Sequence, residues 1–158
     1  MARAREVPDF DCDEPFNRAA ARVVDTRAAE VFEHSDGVLD LDDIERVHDM
    51  RVATRRLRAA LEVFESCFPR KRHRKALKRV KALADALGER RDRDVAIEFL
   101  EGFAANAPES DRASLAALNE GLREEQRLAN EELAPAVAPK RLKKLRRRFR
   151  KLVKVAGS

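Results

Sequence analysis

The residues of this chain best equipped for chemistry lie in one stretch, ERVHDMRVATRRLRAALEVFESCF, from Glu45 to Phe68. His48, Arg51, Arg55 and Arg58 recur there at steps of three and four. At roughly 100° per residue the four share one flank of a helix, and at ~1.5 Å per residue they span about 15 Å of its axis. Each guanidinium is a planar fork that gives two parallel hydrogen bonds to a carboxylate or phosphate, and His48 adds another donor. The chemistry of such a rail is anion binding. Arginines on a helix are most often a solvated face, but an aligned set is less usual. Its flank carries one acid, Glu62, near the far end, and Asp49 points elsewhere. Arg56 faces another side of the helix.

Other chemistries find less support. His34, His48 and His73 share no zinc-like spacing, and the arginines beside His48 would repel a cation. There is no Ser–His–Asp constellation, glycine elbow or phosphate-cradling glycine loop. A phosphohistidine at His48 would need a donor that this chain does not supply. No metal and no cofactor are expected, and the protein reads as a binder rather than an enzyme.

The rail must be positioned by helices. In the same stretch Val47, Met50, Thr54, Leu57, Leu61, Phe64 and Phe68 form the apolar seam of a helix packed in a bundle. Asp42 with Glu45 resembles a capping pair at its start, and it ends before Pro69. Ahead of it, residues 1–14 read as a flexible acidic lead-in. A first helix begins near Pro15 and buries Phe16, Ala20, Val24, Ala28 and Val31, and Asp36–Gly37 is a turn. A domain over residues 15–155 is expected.

After Pro69, residues 70–81 carry eight Lys or Arg and no acid. Leu77, Val80, Ala84 and Leu87 keep helical spacing, so a third helix is predicted, ended by Gly88 as a left-handed cap. Lys78 and Lys81 are its candidates for the shared site, and His73 reads as a surface residue. Asp92 is placed to cap a fourth helix, with Val95, Phe99 and Phe103 as its core side and Asp94 as a first-turn charge. Arg91 stands at the junction, where it can point back to the rail. A fifth helix over 111–134 uses Leu115, Leu118, Leu122, Ala129 and Leu133. Pro135 and Pro139 bracket a break before a last helix, 140–154, with ten cations and no acid. The fold class is all-α: an antiparallel bundle of about six helices.

Composition agrees. The 158 residues suffice for one domain with a real core, 40% are charged, and there is no Trp or Tyr. The net charge of +5 is unevenly spread: residues 1–45 hold five Arg against thirteen Asp or Glu, about −8, which leaves about +13 for the rest. That asymmetry implies an electropositive surface and an anionic partner. Cys12 and Cys67 form no CxxC pair, the first ten residues lack a signal-peptide core, and no apolar run approaches the ~18 residues of a membrane span. A reduced, cytoplasmic protein is expected.

VHDMRVATRRLRAALEVF followed by LGERRDRDV resembles the CHAD domain, the conserved histidine α-helical domain. The first motif of that family falls on Val47, His48, Arg51, Arg55, Arg56, Leu57, Arg58 and Leu61. The second falls on Leu87, Gly88, Arg91, Asp92, Asp94 and Val95, with Lys81 at the basic position ahead of it. Looser spacing and Arg127 extend the likeness over about residues 12–154. The resemblance implies a helical bundle that binds inorganic polyphosphate in a basic channel, without catalysis, and association with polyphosphate granules. The expected binding residues are His48, Arg51, Arg55, Arg58, Lys78, Lys81 and Arg91. The family pattern has two similar halves, each with a histidine motif, whereas this chain has one such motif. It resembles a half-length member, and a symmetric homodimer is expected in which a second copy supplies the other half. Nucleic-acid binding through the basic last helix is the alternative partner, although the eight Phe mostly sit at core positions rather than where bases could stack. A phosphate-chain-processing enzyme is a further alternative that would need a metal, base or nucleophile beside the rail.

Overall fold

The computed structural model describes residues 3–9, 11 and 13–156; Cys12 lies outside them. Among the described residues, five α-helices make the fold: α1 (Phe16–Glu33), α2 (Ile44–Val63), α3 (Arg70–Ala104), α4 (Glu109–Val137) and α5 (Pro139–Ala156). A 3₁₀ turn, Glu65–Cys67, leads out of α2. The described residues hold no strand, and no helix among them is long and apolar enough to cross a membrane.

Neighbouring helices run antiparallel, which their cross-contacts fix. Phe16 at the start of α1 meets Phe64 at the end of α2, ring centroids 5.5 Å apart. His73 in the first turn of α3 reaches back to Leu61 near the end of α2. Asn17 of α1 donates to the carbonyl of Ala156, the last residue of α5, at 2.7 Å. The lower part of α3 thus joins α1, α2 and α5 in a four-helix ring, with α2 and α5 on opposite corners. Its core is Val24, Val31, Met50, Leu57, Leu61, Val80, Leu87, Leu133, Phe149 and Leu152, each at most 1% exposed. Above the ring, α3 and the start of α4 continue as a hairpin. The loop below it turns on Gly37, whose φ of +64° suits glycine, and a Cβ there would lie 2.7 Å from Nη1 of Arg46. The lead-in is anchored: the backbone N–H of Arg5 donates to Glu30 Oε1 at 2.6 Å.

Several expectations are corrected. Gly88 does not end a helix; α3 runs through it for 35 residues, so there are five helices and Asp92 caps none. Its neighbours are good helix formers, and α2 and α4 support the segment on either side of the glycine. Pro135 lies inside α4 rather than in a break. Val95, Phe99, Phe103, Phe16 and Leu118 are exposed, not core. His73 is buried rather than on the surface: its Nε2–H donates to the Leu61 carbonyl at 2.8 Å and its ring stacks on Phe68. It thereby satisfies one of the last carbonyls of α2, which have no partner within their own helix.

A Cβ added at Gly88 would meet nothing within 4 Å. Gly88→Ala is therefore expected to stabilise the protein by about 0.5–1 kcal/mol, because it removes chain entropy from the unfolded state without a clash. Thermal unfolding checks this: a left-handed cap would instead be destabilised by alanine.

Candidate anion-binding groove

With α3 unbroken, one exposed or half-exposed stripe runs its whole length at steps of three and four: Arg70, Arg74, Lys78, Lys81, Asp85, Gly88, Asp92, Val95, Phe99 and Phe103. The stripe covers about 50 Å at ~1.5 Å per residue. Its chemistry changes twice along the way, from cationic to acidic to apolar.

The middle of the stripe faces the arginines of α2. Arg51, Arg55 and Arg58 form one wall of a groove of about 380 Å³, and Ala84, Asp85, Gly88, Glu89 and Asp92 form the other. The rail anticipated on α2 is present, but the acids facing it were not anticipated. Glu89 and Asp92 were hidden because a helix assumed to stop at Gly88 has no continuous face, and Asp85, ahead of the glycine, was passed over. Glu89 is engaged by Arg93 at 2.6 Å, one turn on. Gly88 leaves the groove floor without a side chain.

The seven expected site residues are not equivalent. Among the described residues, Arg51 and Arg55 make no ion pair, so their forks are available to a ligand. Arg58 and Lys81 both hold Glu62, at 3.0 and 3.2 Å, and together they keep its carboxyl below the usual carboxylate range. Lys78 lies further down the stripe and lines a second groove of about 630 Å³ with Arg70, Lys71, Arg74 and Lys75, all cations. Arg91 does not enter the groove. Its side chain is 13% exposed and is held by the carbonyl of Ile44, Glu45 and Glu98, so it locks α3 to the first turn of α2. His48 is half-buried near that end. It brings a ring nitrogen within 4.8 Å of carboxylate oxygens of Glu45 and Asp49, which is where a divalent ion could be held. Considering the histidines alone missed that grouping. Arg127 is exposed and occupied by Glu124 and Glu131.

The motif residue Asp94 has a structural place. It pairs with Arg90, which sequence reasoning passed over, and both are 0% exposed. Gln126 of α4 donates to Asp94 Oδ1 at 2.7 Å, and Arg90 Nη2 lies 3.4 Å from the Asp40 carbonyl. Burial pushes the Asp94 carboxyl up and the Arg90 guanidinium down, against the attraction between them. The network joins α3, α4 and the α1–α2 loop where the hairpin leaves the ring.

A helical bundle with a cation-bearing groove along two adjacent helices is the class of protein these features define. The particular family follows from the sequence: the model of the CHAD domain matches residues 22–158, and the chain belongs to that family. Among curated proteins, none matches the chain in sequence.

Proposed function

We propose that the protein is a non-enzymatic binder of inorganic polyphosphate. The observation that carries this reading is the junction of the cationic part of the α3 stripe with the arginines of α2. From Arg51 and Arg55 the path passes Arg58 and Lys81 and reaches Lys78, Arg74 and Arg70. A row of forks and ammonium groups matches a polymer whose every unit bears charge, and the many weak contacts make binding strongly dependent on salt. The reading carries a cytoplasmic location, at polyphosphate granules. Its test is a competition: polyphosphate of defined length is bound, then challenged with duplex DNA at equal charge and ~0.15 M salt. Survival of the complex against excess DNA supports a site shaped for polyphosphate, and charge-for-charge displacement rejects it.

Glu62 occupies two of the cations that the polymer would use. Glu62→Gln is expected to tighten polyphosphate binding about two- to fivefold at neutral pH, the scale of one exposed charge pair. The same release occurs in the unaltered protein only once pH falls below the ordinary carboxylate range, because Arg58 and Lys81 depress the Glu62 pKa. Equal affinity of the Gln variant, measured by calorimetry, would place the polymer elsewhere.

We also propose a homodimer that joins through the apolar end of the stripe. Val95, Phe99 and Phe103 are 49, 74 and 58% exposed on a hairpin that extends beyond the ring. A second copy packed there would lie in line with the groove. Phe99→Glu is expected to turn a dimer into an 18 kDa monomer in light scattering. A wild-type protein that is monomeric well above micromolar concentration would reject the pairing.

A further inference from the structure

The longest acid-free run of cations lies away from the groove, on α5. From Pro139 to Ala156 this helix contains ten Lys or Arg and no Asp or Glu. Between Lys140 and Lys154 that is one positive charge per about 2 Å of axis at ~1.5 Å per residue, close to the ~1.7 Å charge spacing of duplex DNA. Leu142, Leu145, Phe149 and Leu152 turn inward and are buried in the ring. Lys140, Lys143, Lys144, Arg146, Arg147 and Arg150 line a surface groove of about 640 Å³.

The contrast with the second half of α3 and with α4 makes this face informative. From Arg90 onward on α3, and on α4, Arg90, Arg91, Arg93, Arg123 and Arg127 all meet acids. Among the described residues, Lys143, Lys144 and Arg147 of α5 make no ion pair, and Arg146 lies over the ring of Phe32 at 4.8 Å. Like charges three and four residues apart destabilise a helix, and no acid on α5 offsets them. Asp25 and Glu33 of α1 face Arg146 and Arg150, so it is at Lys140, Lys143, Lys144 and Arg147 that an external anion would offset the repulsion.

The same residues narrow its chemistry. The apolar side of α5 is used up in the core, so the helix has no face to insert into a lipid bilayer. It carries no Ser, Thr, Asn or Gln, and its one aromatic, Phe149, is 1% exposed. Side chains that read base edges beyond Lys and Arg, and rings that stack on bases, are therefore missing. What remains is recognition of phosphate groups along a chain, without readout of bases.

We propose that the outer face of α5 is a second, independent polyphosphate-binding surface. It lies on the corner of the ring opposite α2, so one protein molecule can join two stretches of polymer. This rests on the polyphosphate reading of the α2–α3 groove and extends it from binding to cross-linking. Four forms of the full chain test it: unaltered, K144E/R147E, the milder K144Q/R147Q, and R51A/R55A, each checked for helicity and melting temperature. Short polyphosphate gives the number of sites by calorimetry, and long polyphosphate gives cross-linking by light scattering. The unaltered chain is expected to show two sites and a scattering maximum that dissolves in excess polymer. K144E/R147E should lose one site by tenfold or more in affinity and lose the scattering, with K144Q/R147Q in between. R51A/R55A should retain the α5 site alone.

If the unaltered chain binds no polyphosphate, the reading of the groove itself fails. If it binds at one site that K144E/R147E and K144Q/R147Q leave intact, only the second surface is overturned. If the site retained by R51A/R55A takes duplex DNA as tightly as polyphosphate at matched salt, the assignment of α5 to polyphosphate is overturned.

Discussion

Replacing Arg51 and Arg55 together by alanine is expected to weaken polyphosphate binding in the α2–α3 groove by about 3–6 kcal/mol, if each charge-assisted contact is worth ~1.5–3 kcal/mol. That is roughly two to four orders of magnitude in Kd. These two residues are chosen because neither is tied to an acid, so their removal strands no partner. Arg58→Ala would be less clear, since Glu62 would then turn wholly to Lys81. The side chains of Arg51 and Arg55 line the groove rather than the core, so the melting temperature should hold within a degree or two, which matches the ~0.5 kcal/mol typical of surface changes. The plot of log affinity against log salt should also flatten, because two phosphate contacts are gone. Replacement of both by lysine should fall between, since it keeps the charge and loses the fork. Unchanged affinity of the alanine variant at the groove would reject the site.

Asp94→Ala should produce the largest loss of stability, about 3–5 kcal/mol, because it leaves the Arg90 guanidinium buried without its counter-charge. Neither group has exposed surface through which water could compensate. The change also removes the acceptor for Gln126. In urea the midpoint should fall with little change in slope, as expected for weakened packing of an otherwise similar fold. Replacing the pair together, R90M/D94L, should recover much of the loss, because the cost lies in stranding a charge rather than in losing a favourable pair. A single variant as stable as the unaltered chain would show that the pair is not buried in solution.

How far the sequence discloses this molecule depends on which residues carry the helical pattern. In α2 the inward positions are apolar or small, and the arginines fall beside them, so the helix and one wall of the groove can be read directly. In α3 the pattern is masked. Its inward positions include His73, Arg90 and Asp94, three polar residues at 0% exposure, while its outward positions include Val95, Phe99 and Phe103. Ordinary hydrophobic periodicity therefore selects the wrong side of the helix beyond Gly88. What reverses it is tertiary: the partners of the buried polar groups are Leu61, Asp40 and Gln126, which lie 12, 50 and 32 residues away. Gly88 misled for a related reason. Its cost of roughly 1 kcal/mol relative to alanine is a strong local signal, yet small against the packing of a long helix on two neighbours. Glu89 and Asp92 became visible as facing the rail only once both sides of that glycine belonged to one helix.

The unbroken α3 also limits how this chain can change in length. Its cationic, acidic and apolar positions share one side only because every residue between Arg70 and Phe103 is counted by the same screw. One inserted residue between Asp92 and Val95 would advance the aromatic end by ~1.5 Å and swing it by about 100°. Phe99 would then leave the line of the groove although no side chain had been replaced. Seven residues, close to two full turns, would restore the alignment to within ~20°. Point substitutions can therefore accumulate along this helix more freely than insertions or deletions, whose tolerated sizes should cluster near whole numbers of turns, such as about seven or eleven residues.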